Sequence, residues 1–240
     1  MPQNDSKPNA AGDHSGHRKR LRERFARSGL EGLQDYEAVE LLLSYAVMRR
    51  DVKPLAKELI ARYHDLPGLM DATVAELTLQ YGMGASSALL IKLVRDLCSK
   101  YLEQRARKHN VLDNPVLVEE FARMKLGGAS RETLMTIFLN SHYHIISYEL
   151  TPGTVDRAAI YLREVVRQAL LCNAVAVVLA HNHPSGVCLP SPEDIKFTSA
   201  LRDALEAMGM TLLDHLVVTP LECRHINPAT GETPSGGNPQ

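Results

Sequence analysis

The chain has 240 residues, 45% of them hydrophobic and 5% aromatic, with no Trp, an ordinary globular composition with room for one large or two small domains. Its formal net charge of -1 supplies no global field that would call for nucleic acid or a membrane surface, and no apolar run approaches the length of a membrane span. The four cysteines, Cys98, Cys172, Cys188 and Cys223, form neither a C-x-x-C pair nor a framework, so a cytoplasmic protein with reduced thiols is expected.

Residues 1–15 are polar and rich in Asn, Pro and Gly, without the apolar core of a signal peptide, and read as a disordered tail. Residues 16–109 read as an all-α domain with helices over Tyr36 to Val47, Lys53 to Tyr63 and Ala85 to Arg107. Its turns are marked by Asp65-Leu66-Pro67-Gly68 and Gly82-Met83-Gly84. The segment 110–115, with Asn, Asp and Pro, is expected to be a linker. From 116 to 226 strands and helices alternate. Glu132 to Leu139 and Ile145 to Leu150 form a strand pair, Arg157 to Leu171 a helix, and Ala174 to Ala180 a buried strand. A helix follows from Pro192 to Met208, stopped by Gly209, with Ile195, Leu201, Leu205 and Met208 as its apolar face. Leu212 to Thr219 closes as a strand, and residues 227–240 (NPATGETPSGGNPQ) read as a second disordered tail. The fold class expected is α/β, a mixed sheet flanked by helices, behind an all-α N-terminal domain.

Chemistry concentrates at the end of the buried strand, in His181-Asn182-His183-Pro184-Ser185-Gly186, followed by Ser191-Pro192-Glu193-Asp194. If the strand runs through His183, both imidazoles share one side, because side chains alternate; on a helix they would sit roughly 200° apart. Two imidazoles and a carboxylate leave a fourth tetrahedral position open, which marks a catalytic rather than a structural zinc. A competing reading makes Ser191 a helix N-cap, Pro192 the first helical residue and Asp194 a first-turn acid. Capping and ligation are compatible, since a helix start aims a carboxylate rigidly. The spacing His-x-His, seven residues, Ser, two residues, Asp resembles the JAMM (MPN-type) zinc hydrolase pattern at every fixed position.

Residues 17 to about 219 as a whole resemble the RadC family. The resemblance is carried by Gly16-His17-Arg18-Lys19-Arg20-Leu21-Arg22-Glu23-Arg24-Phe25, Asp35-Tyr36-Glu37 with Glu40-Leu41-Leu42-Leu43, and Lys53-Pro54-Leu55-Ala56-Lys57. It continues in Arg163-Glu164-Val165-Val166, the histidine motif and Leu212-Leu213-Asp214-His215-Leu216-Val217-Val218. Two departures stand out: Tyr161-Leu162 where the family has His-Pro, and Cys188 in the motif loop. The resemblance implies an MPN/JAMM domain behind a helix-hairpin-helix-like domain, and a zinc metallopeptidase or isopeptidase. It implies Zn2+ on His181, His183 and Asp194, with water in the open position, its pKa brought from 15.7 toward about 7. It implies Ser191 as a donor to the oxyanion and a general base from an earlier strand. Glu149 is the match expected for that base, with Tyr148 one residue away in register and Glu119, Glu120 and Glu132 as rivals.

Other zinc sites do not fit: there is no His-x-Glu with Pro-Cys-x-x-Cys and no His-Glu-x-x-His. Asp214 and His215 are candidates to orient the ligating imidazoles, with a plain sheet position as the alternative. Cys188 is a fourth ligand, a thiol switch or, as the plainer reading, loop filler. A different function class is also open. Gly82-Met83-Gly84-Ala85-Ser86-Ser87-Ala88 resembles a helix-hairpin-helix turn that binds a phosphate, and Arg18, Lys19, Arg20, Arg22, Arg24 and Arg27 form a basic stretch. A DNA-binding accessory protein with an idle metal site is therefore the alternative, and its mark is affinity that falls steeply with salt. The partners expected are a peptide or isopeptide substrate and DNA as the alternative, with no membrane.

Overall fold

A computed structural model describes residues 11–48, 50–153 and 158–230. The chain divides into two compact units, 1–95 and 96–240. Within the described residues no helix is long and apolar enough to cross a membrane.

The first unit is helical: α1 (Ala11–Ser28), α2 (Asp35–Ala46), α3 (Lys53–Tyr63), α4 (Leu66–Asp71), α5 (Val74–Thr78) and the start of α6 (Ala85–Lys108). Its core is Val39, Leu43, Leu55, Leu59, Leu69, Leu77 and Ile91. The expected Asp65 turn starts a short helix instead, because Asp65 accepts the Gly68 N–H at 2.7 Å and Pro67 fits the first turn. The stretch read as a tail reaches helix α1 at Ala11; the rest of it, and residues 231–240 of the other tail, lie outside the described residues. Several of the α1 cations have partners in this unit: Arg18 donates to the Met48 carbonyl at 2.6 Å, and Arg24 pairs with Glu37.

The units meet at Arg95 and Asp96 within α6, not in the segment 110–115 expected as a linker. No Gly or Pro interrupts residues 85–108, and the two ends of the helix serve different cores: Ala88 and Ile91 in the first unit, Ala106 in the second. The segment 110–115 is itself ordered. Val111 is buried with its N–H on the Tyr143 carbonyl, and Asn114 leads into α7 (Pro115–Leu126), a helix the periodicity did not single out.

The second unit is a five-stranded sheet, ordered β2-β1-β3-β4-β5, covered by α7 on one face and by α8 and α9 on the other. Its elements are β1 (Thr133–Leu139), β2 (Ile145–Pro152), α8 (Ala158–Leu171), β3 (Ala176–Asn182), α9 (Pro192–Glu206), β4 (Thr211–Val218) and β5 (Cys223–Ile226). Arg157, expected to open α8, lies outside the described residues. β3 pairs antiparallel with β1 and parallel with β4, so it is central and all seven of its residues are buried. The α9 face differs from the one expected. Leu201 and Leu205 are buried, but Ile195 is 36% and Met208 55% exposed, and Thr198 takes the buried position beside the site.

Phe121 on α7 is fully buried, and its ring meets Tyr148 of β2 edge-on at 5.2 Å. Phe121→Ala is expected to cost about 3–5 kcal/mol, the lost transfer energy plus the cavity left behind. Urea unfolding monitored by circular dichroism reads it; a loss under about 1 kcal/mol would mean the face repacks.

Candidate metal centre

β3 delivers His181 on the face covered by α8 and α9 and Asn182 on the opposite one. The strand ends at Asn182, yet His183 continues the pairing through its N–H on the Val218 carbonyl at 3.2 Å, which carries the alternation one residue further. The two Nε2 atoms lie 3.0 Å apart. Asp194, in the first turn of α9, brings Oδ1 to 3.4 Å from His181 Nε2 and Oδ2 to 3.5 Å from His183 Nε2.

The protons around these rings are dictated by their partners. The Thr198 hydroxyl donates to the Asp194 carbonyl at 2.6 Å, so toward His215 Nδ1, also at 2.6 Å, it can only accept. Burial pushes the His215 pKa down to about 3, so the ring is neutral and its Nε2 is an acceptor. His181 Nδ1, 2.8 Å from that atom, must therefore donate. His183 Nδ1 donates to the Val187 carbonyl at 2.9 Å. Each ring thus turns its Nε2 toward the other ring and toward a carboxylate. Burial would raise the Asp194 carboxyl, but His181 and Ser191 hold it well below the usual carboxylate range. Two imidazole nitrogens and a carboxylate converging at 3.0–3.5 Å form a cradle that fits a divalent cation by its donor chemistry.

Ser191 performs the capping role: its N–H and hydroxyl both donate to Asp194 Oδ2 at 2.7 Å, and its Oγ accepts the Asp194 N–H. The same residue lines the cleft. Of the pair flagged behind the motif, His215 touches His181 directly. Asp214 instead faces the other side of the sheet, where Oδ2 takes the proton of His225 Nδ1 at 2.7 Å. Cys188 is not among the converging atoms; its buried thiol donates to the Val217 carbonyl at 3.1 Å.

A cleft of about 350 Å³ opens beside these residues, lined by Glu132, Tyr161, His181, Ser191, Asp194 and Phe197 among others. Glu149 is absent from its wall. It sits on edge strand β2 opposite Thr136, which in turn pairs with Leu179, so it lies two strands from His181 and two residues along the register. Glu132, by contrast, precedes β1 by one residue and shares the parity of Leu134, the direct partner of His181. Of the acids the sequence offers for the base, Glu132 and not Glu149 lies in the cleft wall, beside Glu193 and Asp194 of the α9 start, so the preference for Glu149 is corrected in favour of Glu132.

Two residues with no motif signal hold Glu132 there. Asn182 accepts the Thr133 N–H at 2.8 Å and donates to the carbonyls of Ala129 and Arg131, pinning the segment on both sides. Gly153 donates to the Glu132 carbonyl at 2.8 Å, and a Cβ there would stand 3.2 Å from Glu132 Cβ and Cγ. Tyr161, where the resemblance leads one to expect His, stands in the cleft wall with its hydroxyl on the Pro152 carbonyl.

Thr198→Val keeps the shape and removes the acceptor for His215 Nδ1. Metal affinity is expected to fall roughly 10- to 100-fold with the fold intact. Competition against a chromophoric chelator measures it, and an unchanged affinity would break the Thr198–His215–His181 relay.

Comparison with known proteins gives a consistent picture. Residues 112–226 match the family model described as RadC-like JAB domain, and residues 14–89 match one described as UPF0758 N-terminal. The chain is 34% identical over 215 residues to a UPF0758 protein of Fusobacterium nucleatum subsp. nucleatum, covering 86% of this chain and 93% of that one. It is 36% identical over 198 residues to a UPF0758 protein of Paraburkholderia phytofirmans, covering 82% and 76%. A UPF0758 protein of Burkholderia mallei is 37% identical over 198 residues, with 82% and 71% covered.

Proposed function

Because the chain belongs to the RadC family, we propose that its C-terminal unit is a zinc-dependent amide hydrolase acting on a peptide or isopeptide. The observation that carries this is the convergence of two imidazole Nε2 atoms and the Asp194 carboxylate at the edge of a cleft that also holds Glu132. His181, His183 and Asp194 would hold the ion, which when bound supplies a Lewis acid and makes water nucleophilic at neutral pH.

The chain's own residues do the rest. Glu132 takes the proton from the attacking water and returns it to the leaving amine, so one carboxylate serves both halves of the hydrolysis. His215 and Thr198 hold the Nδ1–H of His181, and the Val187 carbonyl holds that of His183, so each ring offers Nε2 as its ligand atom. Ser191 fixes the aim of Asp194, and its hydroxyl can reach an oxyanion only by leaving Oδ2. Leu134 and Phe197 give the cleft an apolar wall that strengthens these interactions by excluding water.

Chain protein purified without chelator should be screened against linear and side-chain-linked peptide substrates. Cleavage that stops with chelator and returns with zinc supports the assignment. A fully metal-loaded protein that cleaves neither class would replace it with the accessory-protein reading, in which binding of a short duplex falls steeply with added salt.

A further inference from the structure

The opposite face of the same sheet carries a second constellation of metal-binding side chains. Cys223 and His225 alternate on β5 and so point to one side, toward α7, where Glu119 meets them. The Glu119 carboxylate, the Cys223 sulfur and a ring nitrogen of His225 lie within 4.8 Å of one another. His225 is already oriented. Its Nδ1–H is held by Asp214 Oδ2 at 2.7 Å, which turns Nε2 toward Glu119 Oε1 at 3.5 Å.

From this geometry we infer a second divalent-cation site, of zinc type, on Glu119, Cys223 and His225, with Asp214 fixing the imidazole. The donor set is one thiolate, one imidazole and one carboxylate, and thiolate selects zinc-like ions over magnesium or calcium. Bond lengths of about 2.0–2.3 Å put tetrahedral ligand atoms roughly 3.3–3.8 Å apart, so Glu119 and His225, at 3.5 Å, are already at that spacing, and the thiol lies within 4.8 Å of both. Asp214 on Nδ1 is the carboxylate–histidine arrangement that fixes tautomer and ring orientation at zinc sites.

Charge also balances. An ion of charge +2 meets Glu119, the Cys223 thiolate and the Asp214 carboxylate, and Arg123, whose positive charge acts on both Glu119 and Cys223, completes a neutral group. Binding releases the thiol proton and any proton on Nε2 and leaves the Nδ1–H bond to Asp214 in place. The ion would tie edge strand β5 to helix α7 across that face of the sheet. This site stands independently of the hydrolase assignment.

Cobalt(II) titration of the chelator-stripped full chain tests it. The His181, His183 and Asp194 centre contains no sulfur, so a thiolate-to-cobalt charge-transfer band reports only a cysteine-bearing site. The band is expected in the wild type, in Asp194→Asn and in Cys188→Ser, and is expected to vanish in Cys223→Ser. Asp214→Asn should keep the band with roughly 10- to 100-fold weaker cobalt affinity. Circular dichroism confirms that each variant is folded. No band in folded wild type at saturating cobalt, or a band that survives Cys223→Ser and disappears in Cys188→Ser, overturns the inference. Either result leaves the cobalt bound by the two-histidine centre, read by its sulfur-free visible spectrum, to stand or fall separately.

Discussion

Glu132→Gln is expected to retain the metal and to lower amide hydrolysis by roughly 10²–10⁴-fold, the usual contribution of a positioned proton carrier. The substitution keeps size and hydrogen-bonding shape and removes only the ability to hold and return a proton. Glu132 is suited to the role by place. It stands at the start of β1, on the side of Leu134 that faces His181, in the wall of the cleft. Asn182 and Gly153 fix its backbone from two directions. Glu149→Gln should remain close to wild type, because Glu149 lies beyond β1 on the edge strand. Turnover and metal content are measured on the same samples. Full activity in Glu132→Gln together with loss in Glu149→Gln would return the base role to the edge strand.

Asp194→Asn is expected to empty the two-histidine centre. Asn can still accept the Ser191 N–H in the capping box, but it removes the negative charge that draws a cation to the two imidazoles. Measured in a Cys223→Ser background, so that only this centre is read, the parent should carry about one equivalent of zinc after purification without chelator, and the Asp194→Asn variant close to none. The parent should also gain about 2.7 kcal/mol of stability when free zinc exceeds its Kd a hundredfold, a gain the variant lacks. Zinc retained at parental affinity in Asp194→Asn would remove Asp194 from the ligand set.

On the α7 face, the hydrogen bonds His225 donates to Asp214 and Glu119 raise its pKa to about 10, and burial pushes the Cys223 thiol up to about 12. In metal-free protein the imidazolium is thus the counter-ion of two carboxylates, and a bound cation replaces it in that role. Neither residue belongs to a spaced motif. They meet only because β5 turns back along β4 and α7 crosses the same face.

The apolar run 174–180 has to be a buried strand, since seven such residues are too few for a helix spanning a core and too many for a surface loop. With that strand ending at the histidines, alternation alone puts the two imidazoles on one side, and the Ser-Pro-Glu-Asp helix start supplies a carboxylate at a fixed offset. Those groups are local in the chain, so spacing sufficed to find them. The helices α2, α3 and α6 were likewise readable from their periodicity.

What lies behind and opposite the motif was decided by pairing between distant segments. Which acid faces the cleft depends on the β1–β3 register, where Leu134 opposes His181; no count along the chain separates Glu132 from Glu149 without that register. His215 reaches His181 because β4 lies parallel beside β3. Asn182 pins a segment some fifty residues earlier in the chain because the face opposite its neighbouring histidines happens to meet it. Local spacing fixes which side chains share a strand or a helix start, whereas long-range strand pairing fixes which strangers they meet, and Glu132 in the cleft wall and the second constellation belong to the latter.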